Sequence, residues 1–185
     1  MDQSDTLFDF LESTTSIKVD PKPWMKSGEF HLIRATNDTL PGIIDACIAS
    51  GLYALDLETT GLDNRVFNGE TVAKIVGCCL SPDGKHGYYI PLRHKTNIEA
   101  NVKWSLWKSE MLRLVNSPAR AICHNVKFDQ EFLQFCGGES IGEWDEAKRW
   151  EDTLILAYLK DTRAKDHKLK HLAKVDLGME MIDLE

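Results

Sequence analysis

The stretch Tyr53–Asp63, YALDLETTGLD, decides the fold, because two acids interrupt an apolar run that ends in a turn. The run predicts a strand, and residues two apart on a strand point to the same face of a sheet. Asp56 and Glu58 therefore project side by side, while the apolar residues that alternate with them point into the core. Gly61 then allows a sharp turn or the close approach of a ligand.

Two carboxylates placed this close repel each other, and both stay ionised at low cost only when a cation lies between them. Oxygen ligands of this kind suit Mg²⁺ or Mn²⁺. The alternative is an exposed strand end whose two acids are simply solvated. Asp56 and Glu58 alone leave both interpretations open.

A second segment, Ile122–Leu133 (ICHNVKFDQEFL), favours the metal interpretation. It places Asn125 and Asp129 four residues apart, where a short strand passes into a helix. An aspartate near a helix N-terminus also complements the helix dipole, so Asp129 has a purely structural interpretation as well. Phe128 is more typical of a core position than of one that stacks on a base.

The composition is that of one globular domain: 185 residues, 43% hydrophobic and 28% charged. The sequence has no run of 18 apolar residues, and its acidic start is unlike a secretory signal. We therefore expect no contact with a membrane and a cytoplasmic location, in a bacterium or in a phage-infected host.

The five cysteines contain no CxxC pair, which favours reduced, buried thiols over a zinc site.

The net charge of −7 limits how the protein can handle nucleic acid. Its surface as a whole gains little from attraction to phosphates. Binding of a nucleic acid would need a local patch, metal ions or the help of a partner.

Residues 1–28 are predicted to be a poorly ordered lead-in with room for a short helix at Thr6–Glu12, and the globular pattern begins at Glu29. Five strands are predicted from apolar runs: EFHLIRA, LYALDLE, AKIVGCCLS, HGYYIPL and RAICHN. The turn residues at 81–84, Ser-Pro-Asp-Gly, join the third and fourth strands as a hairpin.

Five helices are predicted from capping residues and apolar spacing. They are a helix from Thr39 or Asp38 to Ser50, Val102–Val115 with Asn101 as its cap, the FDQEFLQF segment before a double glycine, a helix from Asp152 or Thr153 to Leu159, and about His167–Leu177. The order of these elements predicts an α/β fold in which helices flank a mixed sheet.

Taken together and in order, the motifs resemble DnaQ-like (DEDD) 3′–5′ exonuclease domains, and most of all the proofreading domain of bacterial and phage family A DNA polymerases. LDLETTGLD resembles the first motif of that family and HNVKFDQEFL the second. VGCCLSPDGKHGYYIPLRH resembles its hairpin segment, and EDTLILAYLKDTRAKDHKLKHLAK resembles two of its later helices. The resemblance covers residues 29–185.

This resemblance implies a ribonuclease H-like fold and the hydrolysis of the 3′-terminal phosphodiester of single-stranded DNA. Two divalent ions, Mg²⁺ or Mn²⁺, would activate water and stabilise the departing 3′ oxygen. Asp56, Glu58 and Asp129 would be the catalytic residues and the metal ligands, with Asp56 bridging both ions.

The resemblance also implies a pocket for the terminal nucleotide. Thr59 and Leu62 fall where the family contacts that nucleotide, with Leu62 as a wedge beside the last base. Asn125 and Phe128 would shape the same pocket. Contacts of this kind suit a single strand with exposed base faces and carry no sequence code.

A third motif of the family, with a fourth metal-binding Asp and a Tyr or His that positions water, is not recognised in the sequence. We expect a DNA polymerase domain or a C-terminal partner chain to supply it, and weak or no activity from this chain alone. His171–Asp176, HLAKVD, imitates one form of the motif. Its spacing places it in an earlier helix, so we expect no catalytic role for it.

Two other functions fit the sequence. One is an RNA-trimming exonuclease of the ribonuclease D type, although the hairpin segment and KDHKLKHLAK favour the polymerase branch. The other is a non-catalytic module that binds DNA ends or a partner protein. The presence of Asp56, Glu58 and Asp129 argues against a module that has lost catalytic activity.

Overall fold

The computed structural model describes residues 31–63, 65–67, 70–135, 150–164 and 166–178. The predicted lead-in, the short helix at Thr6–Glu12 and the double glycine lie outside these ranges. None of the helices within the described ranges is long and apolar enough to cross a bilayer.

A six-stranded mixed sheet forms the centre of the described structure, accompanied by a small two-stranded sheet. In chain order the strands are β1 (His31–Arg34), β2 (Leu52–Thr59), β3 (Val66–Phe67), β4 (Glu70–Thr71), β5 (Ile75–Ser81), β6 (His86–Pro91), β7 (Arg120–Cys123) and β8 (Trp150–Asp152).

The six strands lie in the order β1-β6-β5-β2-β7-β8, while β3 and β4 pair with each other. Strand β5 is antiparallel to β2 and β6, and the remaining neighbours are parallel. All five predicted strands are confirmed. Strands β3, β4 and β8 were not predicted, because two or three residues are too few to show an alternating pattern.

The predicted hairpin between β5 and β6 is confirmed, and Asp83 organises its turn. The Asp83 carboxylate accepts hydrogen bonds from the backbone amides of Lys85 and His86, each 2.8 Å long. Gly84 follows with a φ of 69°, which a residue without a Cβ adopts without strain.

Five α-helices lie within the described ranges: α1 (Leu40–Ser50), α2 (Trp104–Val115), α3 (Val126–Phe135), α4 (Thr153–Lys160) and α5 (Leu169–Leu177). Helix α1 ends at Gly51 as predicted. Helix α5 begins two residues later than predicted. Its apolar residues are only partly buried, because Ala173 is 6% exposed whereas Leu169 is 44% exposed.

The predicted cap of α2 was wrong. The helix begins at Trp104 with Lys103 in the capping position. The Asn101 side chain instead accepts a hydrogen bond from the His94 amide and donates one to the His94 carbonyl, at 3.0 and 2.9 Å. Asn101 therefore fixes the loop after β6.

The core fills the space between the sheet and its helices. Alternate residues of β2 are buried, while the positions between them are at least partly exposed, as the period of a strand requires. The cluster joins residues of α1, α2, α3 and the four neighbouring strands β6, β5, β2 and β7. Its most deeply buried large side chains include Leu40, Ile44, Ile75, Leu80, Ile90, Trp107, Met111, Leu114 and Phe132.

A glycine in β5 makes room for a tyrosine of β6. A Cβ atom at Gly77 would lie 2.3 Å from the Tyr89 hydroxyl oxygen, which is closer than van der Waals contact allows. Tyr89 is 2% exposed and its hydroxyl bonds to His94, so its ring has little freedom to move away.

We therefore expect Gly77→Ala to lower the free energy of unfolding by about 1–3 kcal/mol, the usual cost of overpacking a core. Urea denaturation measures this change. Gly42→Ala is the matched control, because nothing lies within 4 Å of its added Cβ, and helix α1 gains from alanine. Equal stability of the two variants would contradict the close approach of Tyr89.

Candidate active site at the end of the central strand

Strand β2 places Asp56 and Glu58 on one face of the sheet, as predicted. Its antiparallel register with β5 pairs Asp56 with Cys79 and Glu58 with Gly77. The register then shifts between Glu58 and Thr59, which ends the regular pairing at the second acid. The two carboxylates therefore lie at the end of a central strand, where the backbone leaves the sheet.

Asp129, in the first turn of α3, lies against the same strand, 72 residues away along the chain from its contact. Its Oδ1 accepts a 3.0 Å hydrogen bond from the backbone amide of Leu57, the residue between the two acids. The parallel pairing of β2 with β7 ends at Ala54, so the Leu57 amide has no strand partner there. Asp129 supplies the acceptor that a longer β7 would have offered.

The pKa values of all three carboxyl groups are raised. Burial and then the charge of Asp56 raise the pKa of Asp129 to about 7. Burial and then Asp56 also raise the pKa of Glu58. Burial raises the pKa of Asp56 although its side chain is exposed on one side, and the charge of His124 opposes that rise. A bound cation would relieve all three shifts.

A fourth aspartate fixes the turn that carries Asp129 into place. Asp152 is the N-cap of α4 and accepts hydrogen bonds from two amides of that helix. It also accepts bonds from the amides of Asn125 and Val126, each 3.1 Å long, at the junction of β7 and α3. Asn125 has a φ of 70° there, an unusual conformation for a residue with a side chain.

Cys79 is at the site but was not predicted there. Asp56, Glu58 and Cys79 offer possible ligand atoms that all lie within 4.8 Å of one another, a group to which Asp129 does not belong. Burial raises the pKa of the Cys79 thiol far above its usual value, so it stays protonated. Carboxylate oxygens are therefore the better ligands for a hard cation. The register between β2 and β5 places Cys79 opposite Asp56, and this register cannot be read from the sequence.

The four thiols in the described ranges, Cys47, Cys78, Cys79 and Cys123, are free, as expected from the sequence. Three of them are buried and Cys79 is half-buried. Cys136 lies outside the described residues.

The residues predicted to hold the terminal nucleotide differ in their surroundings. Leu62 is 83% exposed just beyond β2. The Thr59 hydroxyl donates to the Gly61 carbonyl and thereby shapes the turn. Asn125 is exposed, whereas Phe128 packs on the core and tilts against Phe132, with ring centroids 4.7 Å apart.

In His171–Asp176, the segment that imitates the third motif, Asp176 binds another helix and His171 is exposed. Asp176, on α5, accepts a hydrogen bond from the Lys160 ammonium of α4 at 3.0 Å. His171 is exposed on the same helix. The expectation that neither residue takes part in the chemistry stays a prediction.

A family profile described as 3′–5′ exonuclease matches residues 33–184. This chain belongs to the 3′–5′ exonuclease family. DNA polymerase I of Borreliella burgdorferi is 30% identical over 130 residues, which are 70% of this chain and 13% of that polymerase. The chain therefore spans about an eighth of the length of that relative.

Two solved structures of exonucleases share the fold. NrnC from Brucella melitensis with bound Mg²⁺ is 17% identical with a TM-score of 0.56, covering 83% of this chain and 65% of that one. Escherichia coli RNase D, an exoribonuclease involved in structured RNA processing, is 21% identical with a TM-score of 0.54, covering 83% and 34%. The predicted ribonuclease H-like mixed sheet flanked by helices is confirmed.

The raised pKa of Asp129 predicts how the metal-free protein responds to pH. An unfolded aspartate loses its proton near pH 4, whereas folded Asp129 keeps it to about pH 7. Its contribution to stability is therefore complete below pH 4 and is lost as the pH rises through 7. We expect Asp129→Asn to be more stable than the wild type at pH 8, by about 2–4 kcal/mol.

Urea denaturation in a chelating buffer at pH 5 and pH 8 measures this difference. Asp38→Asn serves as the control, since Asp38 is exposed and far along the chain from the three acids. If the stability of the wild type, measured relative to that of Asp129→Asn, does not decrease from pH 5 to pH 8, the raised pKa of Asp129 is contradicted.

Proposed function

We propose that this chain is the 3′–5′ proofreading exonuclease domain of a DNA polymerase, which removes the terminal nucleotide of single-stranded DNA with two divalent ions, Mg²⁺ or Mn²⁺. The observation that carries the proposal is the position of Asp129. A residue from a separate segment is seated on the amide between Asp56 and Glu58. The hydrogen bond from the Leu57 amide does not offset the burial and the repulsion by Asp56 that raise the pKa of Asp129.

The donor set fits such ions. Asp56, Glu58 and Asp129 present carboxylate oxygens, the ligands that Mg²⁺ and Mn²⁺ prefer. Burial raises the pKa of all three acids, and the charge of Asp56 adds to the rise at Glu58 and Asp129, which is typical of a functional site. When bound, the ions supply Lewis-acid chemistry for phosphodiester hydrolysis.

The chain's own residues supply a place for the strand end. Leu62 stands exposed immediately beyond the two acids, where an apolar side chain can lie against the face of a base. Thr59 and Gly61 hold the turn that presents it. Phe128 packs on the core and against Phe132, so we assign it a role in shaping the pocket and not in stacking on a base.

DNA is favoured over RNA as the substrate. The 30% identity to a DNA polymerase I extends over 70% of the chain, whereas the likeness to RNase D is at the level of fold. The net charge of −7 suits a module that receives the strand from a polymerase domain and does not have to capture it unaided. A ribonuclease D-like activity is the second candidate, because RNase D shares the fold.

Binding of Mn²⁺ tests the metal site without requiring turnover. We expect calorimetry to detect Mn²⁺ binding by the wild type and a loss on the order of 100-fold or more in affinity for Asp56→Asn, because that change removes a ligand charge. Asp176→Asn is the matched control on α5 and is expected to bind as the wild type does. Undiminished binding by Asp56→Asn would contradict the assignment.

Cleavage of 3′-labelled oligonucleotides tests the reaction and its substrate. With Mn²⁺ present, we expect weak release of labelled mononucleotide from single-stranded DNA, still weaker release from RNA of the same sequence, and none from either with Asp56→Asn, because the third motif is not recognised in this chain. Faster release from RNA would favour the ribonuclease D-like alternative. Robust cleavage that Asp176→Ala abolishes would show that the third-motif imitation is catalytic after all.

A further inference from the structure

Tyr89 and His94 form a buried polar pair beside the three acids. The Tyr89 hydroxyl oxygen lies 2.6 Å from His94 Nε2, and the side chains are 2% and 4% exposed. The two rings meet edge to face with centroids 5.7 Å apart. Since the Asn101 side chain binds both the amide and the carbonyl of His94, the imidazole is held from the loop as well.

The Tyr89 side chain lies on the same face of the sheet as Glu58. Its oxygen occupies the space above Gly77, only 2.3 Å from where a Cβ would lie. Gly77 is the direct partner of Glu58 across the β2–β5 ladder, and directly opposed residues have their Cβ positions about 5 Å apart on one face. The negative charge of Glu58 is among the causes that raise the pKa of Tyr89, after burial and Cys79.

Packing alone does not require this pair. A phenylalanine would fill the same ring volume, and exchanging both partners of a buried hydrogen bond for apolar groups of similar shape is nearly neutral for stability. We therefore expect the Tyr89 hydroxyl to act as a hydrogen-bonding group. Its role depends on which atom accepts the hydrogen bond from its single proton.

A hydroxyl donates one hydrogen bond, and a neutral imidazole donates one from either Nδ1 or Nε2. If Nε2 carries the proton of His94, it donates to the Tyr89 oxygen. The Tyr89 proton is then left for a neighbouring acceptor. Glu58 is the carboxylate beside it.

We propose that Tyr89 is a positioning residue: His94 Nε2–H donates to the Tyr89 oxygen, and the Tyr89 hydroxyl donates to the Glu58 carboxylate and fixes its orientation for a divalent cation. This inference rests on the proposed function, because it assigns a partner to one of the metal ligands. Partners of this kind orient a ligand before the metal arrives, and their removal weakens metal affinity by about 10–100-fold.

Calorimetric titration of the full chain with Mn²⁺ tests the proposal, with Tyr89→Phe, Tyr88→Phe and Asp56→Asn compared with the wild type. We expect Tyr89→Phe to weaken Mn²⁺ binding about tenfold. Because this change leaves the buried His94 Nε2–H without its acceptor, we also expect it to lower the metal-free urea midpoint. Tyr88→Phe is the matched control, because Tyr88 is the neighbouring residue on the opposite face of β6. It should change neither quantity.

The outcomes separate the two hypotheses. Weakened binding by Asp56→Asn together with wild-type binding by Tyr89→Phe overturns the positioning role and leaves the metal site standing. Undiminished binding by Asp56→Asn overturns the proposed function and, with it, this inference.

Nitrogen NMR of His94 in the wild-type protein gives a readout that does not depend on whether Tyr89→Phe folds. The proposal requires the proton on Nε2. A proton on Nδ1 alone would oblige Tyr89 to donate to His94, leaving none for Glu58, and would overturn the proposal.

Discussion

The hydrogen bond from the Leu57 amide to Asp129 joins two segments that are 72 residues apart and decides where the three acids meet. The bond exists because β7 stops pairing with β2 at Ala54 and leaves the Leu57 amide without a strand partner. A buried amide must find an acceptor, and a carboxylate is a strong one, with a typical net value of about 1.5–3 kcal/mol. The edge that β7 leaves open therefore becomes the point at which α3 is anchored to the sheet.

That anchor is costly as well as useful. Asp129 is 1% exposed, and the charge of Asp56 lies close enough to raise its pKa to about 7. The amide of Leu57 lowers the cost, but burial and repulsion outweigh it. The metal-free protein thus stores electrostatic strain at the end of β2, and a divalent cation is the natural means of relieving it.

Support for the site comes from residues that do not face it directly. Asp152 binds four backbone amides from two helices and so fixes the turn before Asp129. Asn101 fixes the loop that carries His94, and Gly77 yields space to Tyr89. The contacts of Asp152 and Gly77 join segments far apart in the chain or cross the sheet, whereas Asn101 binds a residue seven positions earlier.

The sequence by itself determined the elements whose signal is local. The alternation in β2 placed Asp56 and Glu58 on one face, the turn at Pro82–Gly84 produced the hairpin, and Gly51 ended α1, since period and turn chemistry act over a few residues. Only the tertiary structure decided which backbone amide Asp129 would satisfy, that Cys79 would stand beside Asp56, and that Asn101 would bind a loop and not cap α2. Those outcomes depend on strand register and on where a neighbouring strand ends, and both are settled by packing between segments far apart in the chain.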